Sequence, residues 1–594
     1  MKHHLANILL LAMLSFAAYA NAFGNRFVWD DELFIVNNKE IRNLSGFPRF
    51  FTRGSENLYR PLRTTLYAAT YRLSGLNPAG YHLAGKTLNA ATVCILYVLL
   101  MALSGSPGGA LWGAIIFCLH PAHTEKVAFI TSSYDILGDF LWLSAFTCYV
   151  FFRKTGARGL FVASLPLFGL SLLAAENAAA MPLAVVLFDL TLGRDGRKAA
   201  RWIPYFVLLA AYLTLRTSVL GTVSRVGGAV FNPDPIGNFF TISGVIIDYF
   251  RLLAVPWPLS AVHEVKQASA PYPPVLIASA IGVLATVTAA IVSAKKFPAV
   301  AFGLLWFFVV ISPNLNFIPT GTLMAERYLY LPSAMLSFLV VALHTRVAEG
   351  SEGETRVFGL SPSAALKILF VVAAAVFLAL TVARNRDWRT DTVLWGRTLI
   401  QNPNSYTANL DLGVEMENIG RFDDAERLFL SAVRLAPEKG DAQYELANMY
   451  LNYGRLDKAK SLFDGLSENP RLKYKALLNL SVIFAKKGDY RMADEILSGL
   501  LEKFPESVEA LHNHAYVLFT QKKAGWHLPL MKIYRLTGEA APLRDMAEGF
   551  FKLGDFRTAE RVAAIGLSLS PGNAEIKELM GSAGKQPRKK PNGP

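Results

Sequence analysis

Charge is scarce in this chain. Asp, Glu, Lys and Arg make up only 18% of the 594 residues, while 53% are hydrophobic; an ordinary soluble domain carries roughly 25% charged residues. Mean hydropathy is +0.32, which excludes a single soluble globular enzyme and excludes a disordered chain. Cysteine is scarcer still. Cys94, Cys118 and Cys148 are the whole supply, each in or beside an apolar run, so neither a disulfide framework nor a zinc site is encoded. The net charge is +14, but no nucleic-acid motif accompanies it. The basic residues fall in short clusters between apolar runs, as they do in loops that flank membrane helices. Nucleic acid is not an expected partner.

What is present is an uneven apolar excess that fills residues 1–383 and then stops. Apolar runs lie near 5–23, 86–104, 108–120, 136–152, 159–175, 178–192, 202–220, 239–256, 273–294, 298–312, 329–345 and 364–383; a membrane helix needs about 20 such residues. Lys2 precedes a stretch ending in Ala18-Tyr19-Ala20 that resembles a signal-peptidase site, and an uncleaved first helix is expected in its place. Basic clusters set orientation. Arg153-Lys154 with Arg158, then Arg194, Arg197, Lys198 and Arg201, then Lys295-Lys296 are expected in the cytoplasm. That arrangement holds only if 239–256 is re-entrant or interfacial. About eleven spans follow, with 24–85 as the first extracytoplasmic loop and the C-terminal half outside.

After Arg384 the composition changes and the chain repeats. Ala425, Ala459 and Ala493 recur every 34 residues, in frame with Leu412, Leu446 and Leu480 and with Phe429, Phe463 and Leu497. Gly420, Gly454 and Gly488 mark a turn inside each repeat; Pro437, Pro470 and Pro505 mark the turns between them. This is the tetratricopeptide pattern, a helix-turn-helix unit of about 34 residues. A further copy carries Phe550, Gly554, Ala559 and Pro571, and 508–539 is expected to hold one atypical pair. The predicted fold is all-α: a polytopic membrane domain over 1–383, a linker over 384–403, a repeat solenoid over 404–580 and a basic, disordered tail over 581–594. Such an array is expected to bind protein.

Polar residues at the membrane edge are costly and mark candidate sites. Phe27-Val28-Trp29-Asp30-Asp31-Glu32 sets three acids beside aromatics. Adjacent carboxylates raise each other's pKa and desolvation raises it further, which suits a general base as well as it suits an ordinary loop start. Arg60, in Tyr59-Arg60-Pro61-Leu62, can grip a phosphate bidentately. His120, His123 and Glu125, in His120-Pro121-Ala122-His123-Thr124-Glu125, followed by Asp135, suggest a phosphate or metal contact, although a His/Glu pair falls short of a closed zinc set. Glu326 and Arg327 open the segment Glu326-Arg327-Tyr328-Leu329-Tyr330-Leu331-Pro332. They either neutralise each other or leave Arg327 for a phosphate. Glu176, Asp189, His263 and Glu264 are further ionisable residues without an assigned role.

At these motifs, in this order and joined to the repeats, the sequence resembles the transmembrane-and-tetratricopeptide-repeat O-mannosyltransferases. They are membrane glycosyltransferases of the C-type fold that use polyprenyl-phosphate sugars. The resemblance covers almost the whole chain. It implies transfer of a sugar, mannose in the family, to a protein hydroxyl on the extracytoplasmic side by one inverting displacement. Asp30 matches the base, with Asp31 beside it; Arg60, His82, His120, His123, Glu125, Asp135, Glu326 and Arg327 are implied to bind donor phosphate or substrate. It implies no tightly bound cofactor and no metal ligand set; the polyprenyl-phosphate sugar is a co-substrate, and the partners are membrane lipid and an acceptor protein held by the repeats. A bacterial inner membrane, with the repeats in the periplasm, is the expected location. Departures occur where the family carries Arg, Asn and His, which are Ser133, Gly85 and Asn89 here. The alternative is a non-catalytic membrane scaffold whose repeats recruit envelope proteins. A transporter is disfavoured because ionisable residues sit at span ends rather than at mid-membrane.

Overall fold

Backbone amides and carbonyls away from water must be satisfied within their own segment, and all twelve apolar runs fold as helices. The computed structural model describes residues 2–54, 58–193, 199–222, 234–317, 321–350 and 361–585. Arg194, Arg197, Lys198 and the tail from 586 lie outside the described residues. No strand occurs among the described residues. The chain divides into two units, residues 1–408 and 409–594.

The first unit holds α1 (Lys2–Ala18), α2 (Phe47–Thr52), α3 (Pro61–Ser74), α4 (Pro78–Ser104) and α5 (Pro107–Leu119). Then come α6 (Thr124–Ala128), α7 (Ile130–Tyr134), α8 (Ile136–Thr155), α9 (Arg158–Ala174), α10 (Met181–Thr191) and α11 (Ile203–Leu220). It ends with α12 (Pro235–Ala254), α13 (Pro274–Ser293), α14 (Pro298–Ile311), α15 (Ala334–Gly350), α16 (Pro362–Asn385) and α17 (Asp391–Gln401). Among the described residues, six stretches are helical, long and apolar enough to cross a membrane: 78–104, 130–155, 203–220, 235–254, 274–293 and 362–388. The run at 239–256, expected to be re-entrant or interfacial, is a continuous 20-residue helix, α12, about 30 Å long at 1.5 Å per residue; an unbroken helix fits the interfacial alternative and has no re-entrant turn.

The membrane unit is packed by aromatics and small residues. Trp142, Phe146 and Trp306 form one cluster, with ring centroids 5.2–5.6 Å apart. A Cβ on Gly113 would lie 2.9 Å from the Ser337 carbonyl, so α5 approaches α15 more closely than any larger residue permits. α1 packs on α4 through Asn89 Nδ2, which donates to Ser15 Oγ at 2.8 Å, and through the buried Leu11. Residues 384–403, the expected linker, are packed on the first unit: Trp388 and Trp395 are buried, Asn385 Nδ2 donates to Ala18 O at 2.9 Å, and Arg26 N donates to Arg389 O at 3.0 Å. Two tryptophans have too much apolar area to leave in water.

The second unit is a run of helical hairpins. It comprises α18 (Tyr406–Asn418), α19 (Phe422–Leu435), α20 (Asp441–Asn452), α21 (Leu456–Leu466), α22 (Lys473–Lys486) and α23 (Tyr490–Lys503). Further on lie α24 (Val508–Thr520), α25 (Leu528–Thr537), α26 (Ala541–Lys552), α27 (Phe556–Leu569) and α28 (Ala574–Gly584). The 34-residue frame has a packing cause. Ala425, Ala459 and Ala493 are fully buried, and Phe429, Phe463 and Leu497 fill the space beside them. Gly420, Gly454, Gly488 and Gly554 have φ between 72° and 82°, a conformation that favours glycine. The degenerate stretch 508–539 holds the pair α24–α25. Phe463→Ala removes a fully buried ring and is expected to cost about 3–5 kcal/mol, seen as faster protease cutting within the repeats of the full chain; unchanged cutting would refute this packing.

Candidate functional site

Six separate stretches of the first unit converge on one polar cavity of about 120 Å³. The turn after α1 supplies Asp30 and Phe34; the start of α3 supplies Arg60 and Arg63, and Leu58 just before it also lines the wall. The α6–α8 stretch supplies Lys126, Phe129, Thr131, Ser132 and Asp135. Asn177 and Asn314 come from single 3-10 turns, and Arg327 and Tyr328 from a third at Glu326–Leu329. Among the described residues, no group of three or more His, Cys, Asp or Glu could hold a metal ion.

The two adjacent aspartates have opposite surroundings. Asp31 is fully buried. Its Oδ1 accepts from the Thr131 amide at 2.7 Å and the Thr131 hydroxyl at 2.5 Å, and its Oδ2 from the Val28 amide at 3.0 Å. Burial pushes it up to about 7, against the pull of those donors. That value alone would nominate Asp31 as the base, but it does not line the cavity, and geometry comes before pKa. It ties the turn to α7. Asp30 lines the cavity. Burial raises its carboxyl above the ordinary 3.8; Arg327, Arg63 and Arg60 pull it down, and Asp135 adds to the rise. Just before the two aspartates stands Trp29, whose φ is +53°. A bulky residue there is strained by about 1–3 kcal/mol, and its surroundings hold it. The ring stacks on Phe129 with centroids 5.6 Å apart and on Trp388 at 6.5 Å, and meets Trp395 edge-on at 5.2 Å. The Trp29 amide donates to Asp391 Oδ1 at 2.8 Å.

Cations face Asp30. Arg60 grips Asp135 through Nη1, 2.8 Å from both carboxylate oxygens, and Glu176 through Nε at 2.6 Å. Burial works against its charge, but Asp135 and Glu176 outweigh burial and hold the guanidinium above its ordinary value. Arg63 reaches Asp135 at 3.2 Å and lies over the Phe34 ring at 4.8 Å. Lys126 pairs with Asp139 at 3.1 Å, and Asp139 accepts from Asn177 at 3.0 Å. Arg327 pairs with the buried Glu125, which also accepts from the Arg327 amide at 2.9 Å. Its guanidinium sits over Trp29 at 5.6 Å. Here too burial opposes the charge and Glu125 overcomes it.

Of the ten residues expected at the site, the structure brings Asp30, Arg60, Asp135 and Arg327 to the cavity. The other six do not line it. Asp31 anchors the turn. Glu125 holds Arg327 from behind. His82 Nε2 bonds the Asn25 carbonyl at 3.2 Å. His120 spans the Leu253 carbonyl, at 3.1 Å, and the Ala122 amide, at 3.2 Å. His123 Nε2 meets Ser333 Oγ at 2.7 Å between the rings of Phe117 and Tyr330, and burial keeps both His120 and His123 well below the usual imidazole value. Glu326 is fully buried; it accepts from the Ser260 amide and His263 and lies 3.6 Å from Arg384. These motif residues are dense and polar because they fasten loops to helices. Glu264 accepts from Ser405 at 2.9 Å, and Asp189 pairs with Arg153, Tyr149 and Trp202 away from the cavity.

The family departures also lie off the cavity. A Cβ on Gly85 would lie 2.3 Å from Ser133 Oγ, so the two departures touch and fit each other. Asn89 bonds Ser15 and Tyr330. Arg63, Lys126, Asn177, Asn314 and Tyr328 were not expected at the site. Arg63 lies in the first turn of α3, just after its N-cap Arg60, and Lys126 follows the Glu125 motif directly. Asn177 and Asn314 carry no signal in the sequence.

Residues 419–480 match a family model described as tetratricopeptide repeat, and 475–507 match a second of the same description. A protein O-mannosyl-transferase of Caenorhabditis elegans is 24% identical over 453 residues, covering 73% of this chain and 63% of that protein. One of Drosophila melanogaster is 24% identical over 624 residues, covering 87% and 66%. The chain thus spans less than two thirds of the length of either relative. A solved archaeal oligosaccharyltransferase of Archaeoglobus fulgidus, tethered to an acceptor peptide, aligns with TM-score 0.37 and 13% identity over 64% of this chain and 55% of its own. Over most of its length the chain is similar to proteins named as O-mannosyl-transferases.

Proposed function

We propose that the chain is a membrane glycosyltransferase that moves a sugar, with mannose the first to test, from a polyprenyl phosphate to a hydroxyl of an acceptor protein on the extracytoplasmic side. The observation that carries this reading is the charge of the cavity wall. Four cations, Arg60, Arg63, Lys126 and Arg327, line the cavity beside Asp30, each fixed in place by a carboxylate: Asp135 and Glu176 hold Arg60, Asp135 holds Arg63, Asp139 holds Lys126 and Glu125 holds Arg327. A sugar phosphodiester carries one negative charge, and the lipid phosphate it releases carries up to two. Fixed cations in a dry site favour the state in which that charge has grown. The named activity of the similar proteins points the same way.

In this mechanism Asp30 takes the proton of the acceptor hydroxyl. The hydroxyl oxygen forms a bond to the anomeric carbon as the bond from that carbon to the phosphate oxygen breaks, inverting the centre. The electron pair leaves on the phosphate, which Arg327, Arg63 and Lys126 receive. Arg60, held by two carboxylates, stiffens the wall. Ser132, Asn177, Asn314 and Tyr328 offer hydrogen bonds to sugar hydroxyls. The repeats bring the acceptor.

A base works only when deprotonated. Burial raises the Asp30 carboxyl, so kcat/KM is expected to fall as pH drops through a midpoint above 3.8, and a limb at or below the ordinary aspartate value would count against Asp30. The function itself is tested with membranes carrying the full chain and labelled polyprenyl-phosphate sugars, following label into protein. Transfer with release of polyprenyl phosphate supports the proposal. A folded chain that transfers from no donor overturns it and leaves the scaffold.

A further inference from the structure

The residue before the proposed base is held from the far end of the membrane unit. Trp29 has φ +53°, and its turn is closed by Asp31, whose amide donates to the Val28 carbonyl at 3.0 Å and whose Oδ2 accepts from the Val28 amide at 3.0 Å, while the Trp29 amide itself is bonded from elsewhere. Its amide is bonded by Asp391 Oδ1 at 2.8 Å, its ring lies among Trp388, Trp395 and Phe129, and Arg327 rests on that ring. Asp391 is the first residue of α17. The cap of that helix is made without it: Thr390 Oγ1 accepts from the Val393 amide at 3.3 Å. We propose that Asp391 is a positioning residue for sugar transfer, holding the Trp29 amide so that Asp30 is presented to the cavity. This rests on the proposal that Asp30 is the base.

The alternative role for Asp391 is a first-turn carboxylate at the positive end of a helix. The two roles differ in what they need. An amide acceptor needs an oxygen at the right place; a dipole partner needs a charge. Asp391→Asn keeps the oxygen and removes the charge, whereas Asp391→Ala removes both. The groups around Asp30 are Arg327 on its 3-10 turn, Arg60 and Arg63 at the start of α3, Asp135 before α8, Lys126 on α6 and Asp31 beside it. None of them is altered by either substitution, so a change in the behaviour of Asp30 reports a change in its place.

The test uses the full chain in membranes. Two readouts are followed against pH: transfer kinetics, and modification of the protonated Asp30 carboxyl by an apolar carbodiimide, located by peptide mass. With Asp391→Ala, kcat is expected to fall about 10- to 100-fold, the scale of an ångström misplacement, with donor KM within about twofold. The acidic limb and the labelling midpoint should both move to lower pH as Asp30 relaxes toward water. Asp391→Asn should keep both midpoints, with kcat within about threefold of wild type. If Asp391→Ala does not fold, Asp391→Ser, whose hydroxyl falls short of the amide, takes its place. Equal loss in the Asn and Ala variants, or unmoved midpoints in the variant that lacks the acceptor, overturns the proposal. A wild type that transfers nothing would sink the transferase reading instead, and the labelling curves would still decide whether Asp391 places Asp30.

Discussion

Asp30→Asn is expected to abolish measurable transfer while leaving the chain folded. A positioned base contributes roughly 10²- to 10⁴-fold, and an amide of the same shape cannot take the proton. Folding should be spared because the Asp30 carboxyl lines a cavity and is bonded by no donor among the described residues. The contrast with its neighbour is the stronger test. Asp31→Asn turns an amide NH2 toward one of three donors, the Val28 amide and the Thr131 amide and hydroxyl. A donor facing a donor in a buried site costs about 1–3 kcal/mol. Melting of the purified chain and initial rates of transfer should therefore separate: the Asp30→Asn chain melts like wild type and is inactive, and the Asp31→Asn chain melts early. Activity of the Asp30→Asn chain above about a tenth of wild type would remove Asp30 from the role of base.

Arg327→Ala is expected to damage both stability and transfer. Its partner Glu125 is fully buried, and a buried carboxylate that loses its cation costs about 3–5 kcal/mol. The loss of transfer has a different origin, because Arg327 is also one of the four cations of the cavity wall. The double substitution Glu125→Gln with Arg327→Met takes these apart. It removes both buried charges together and keeps an oxygen for the Arg327 amide, so thermal stability should return and transfer should not. Recovered transfer in the double variant would show that Arg327 serves the fold alone.

The parts of this molecule that are legible in its sequence are those written locally. The repeat frame is one, because Ala425, Ala459 and Ala493 each fill the same small space against a helix 34 residues away from the last. The apolar runs are another, because a helix needs only its own residues to satisfy its backbone. Asp30 is found through a resemblance in motif rather than through chemistry that its neighbours encode. Lys126, Asn177 and Asn314 escape because a cavity is a property of distant segments brought together, and no single stretch carries its signature. His82, His120, His123 and Glu326 mislead for the converse reason. A polar side chain that fastens a loop and one that holds a substrate look the same in a string of letters, and only their partners, here Asn25, Leu253, Ser333 and Ser260, tell them apart. Within the linker at 384–403, Trp388 and Trp395 bury against a turn more than 350 positions earlier, a contact that no local stretch announces.

That last contact gives the site an order of assembly. Asp30 is made near the start of synthesis, but Arg327 and the α17 residues that brace Trp29 emerge only after the intervening helices have been laid down. Until Trp388, Asp391 and Trp395 arrive, the left-handed Trp29 backbone has only Phe129 and the hydrogen bonds of its own turn to hold it. A nascent or truncated chain ending before residue 388 would thus be largely helical and lack the aromatic brace on Trp29. The cavity is therefore completed only in the final act of building the first unit, immediately before the first repeat is translated.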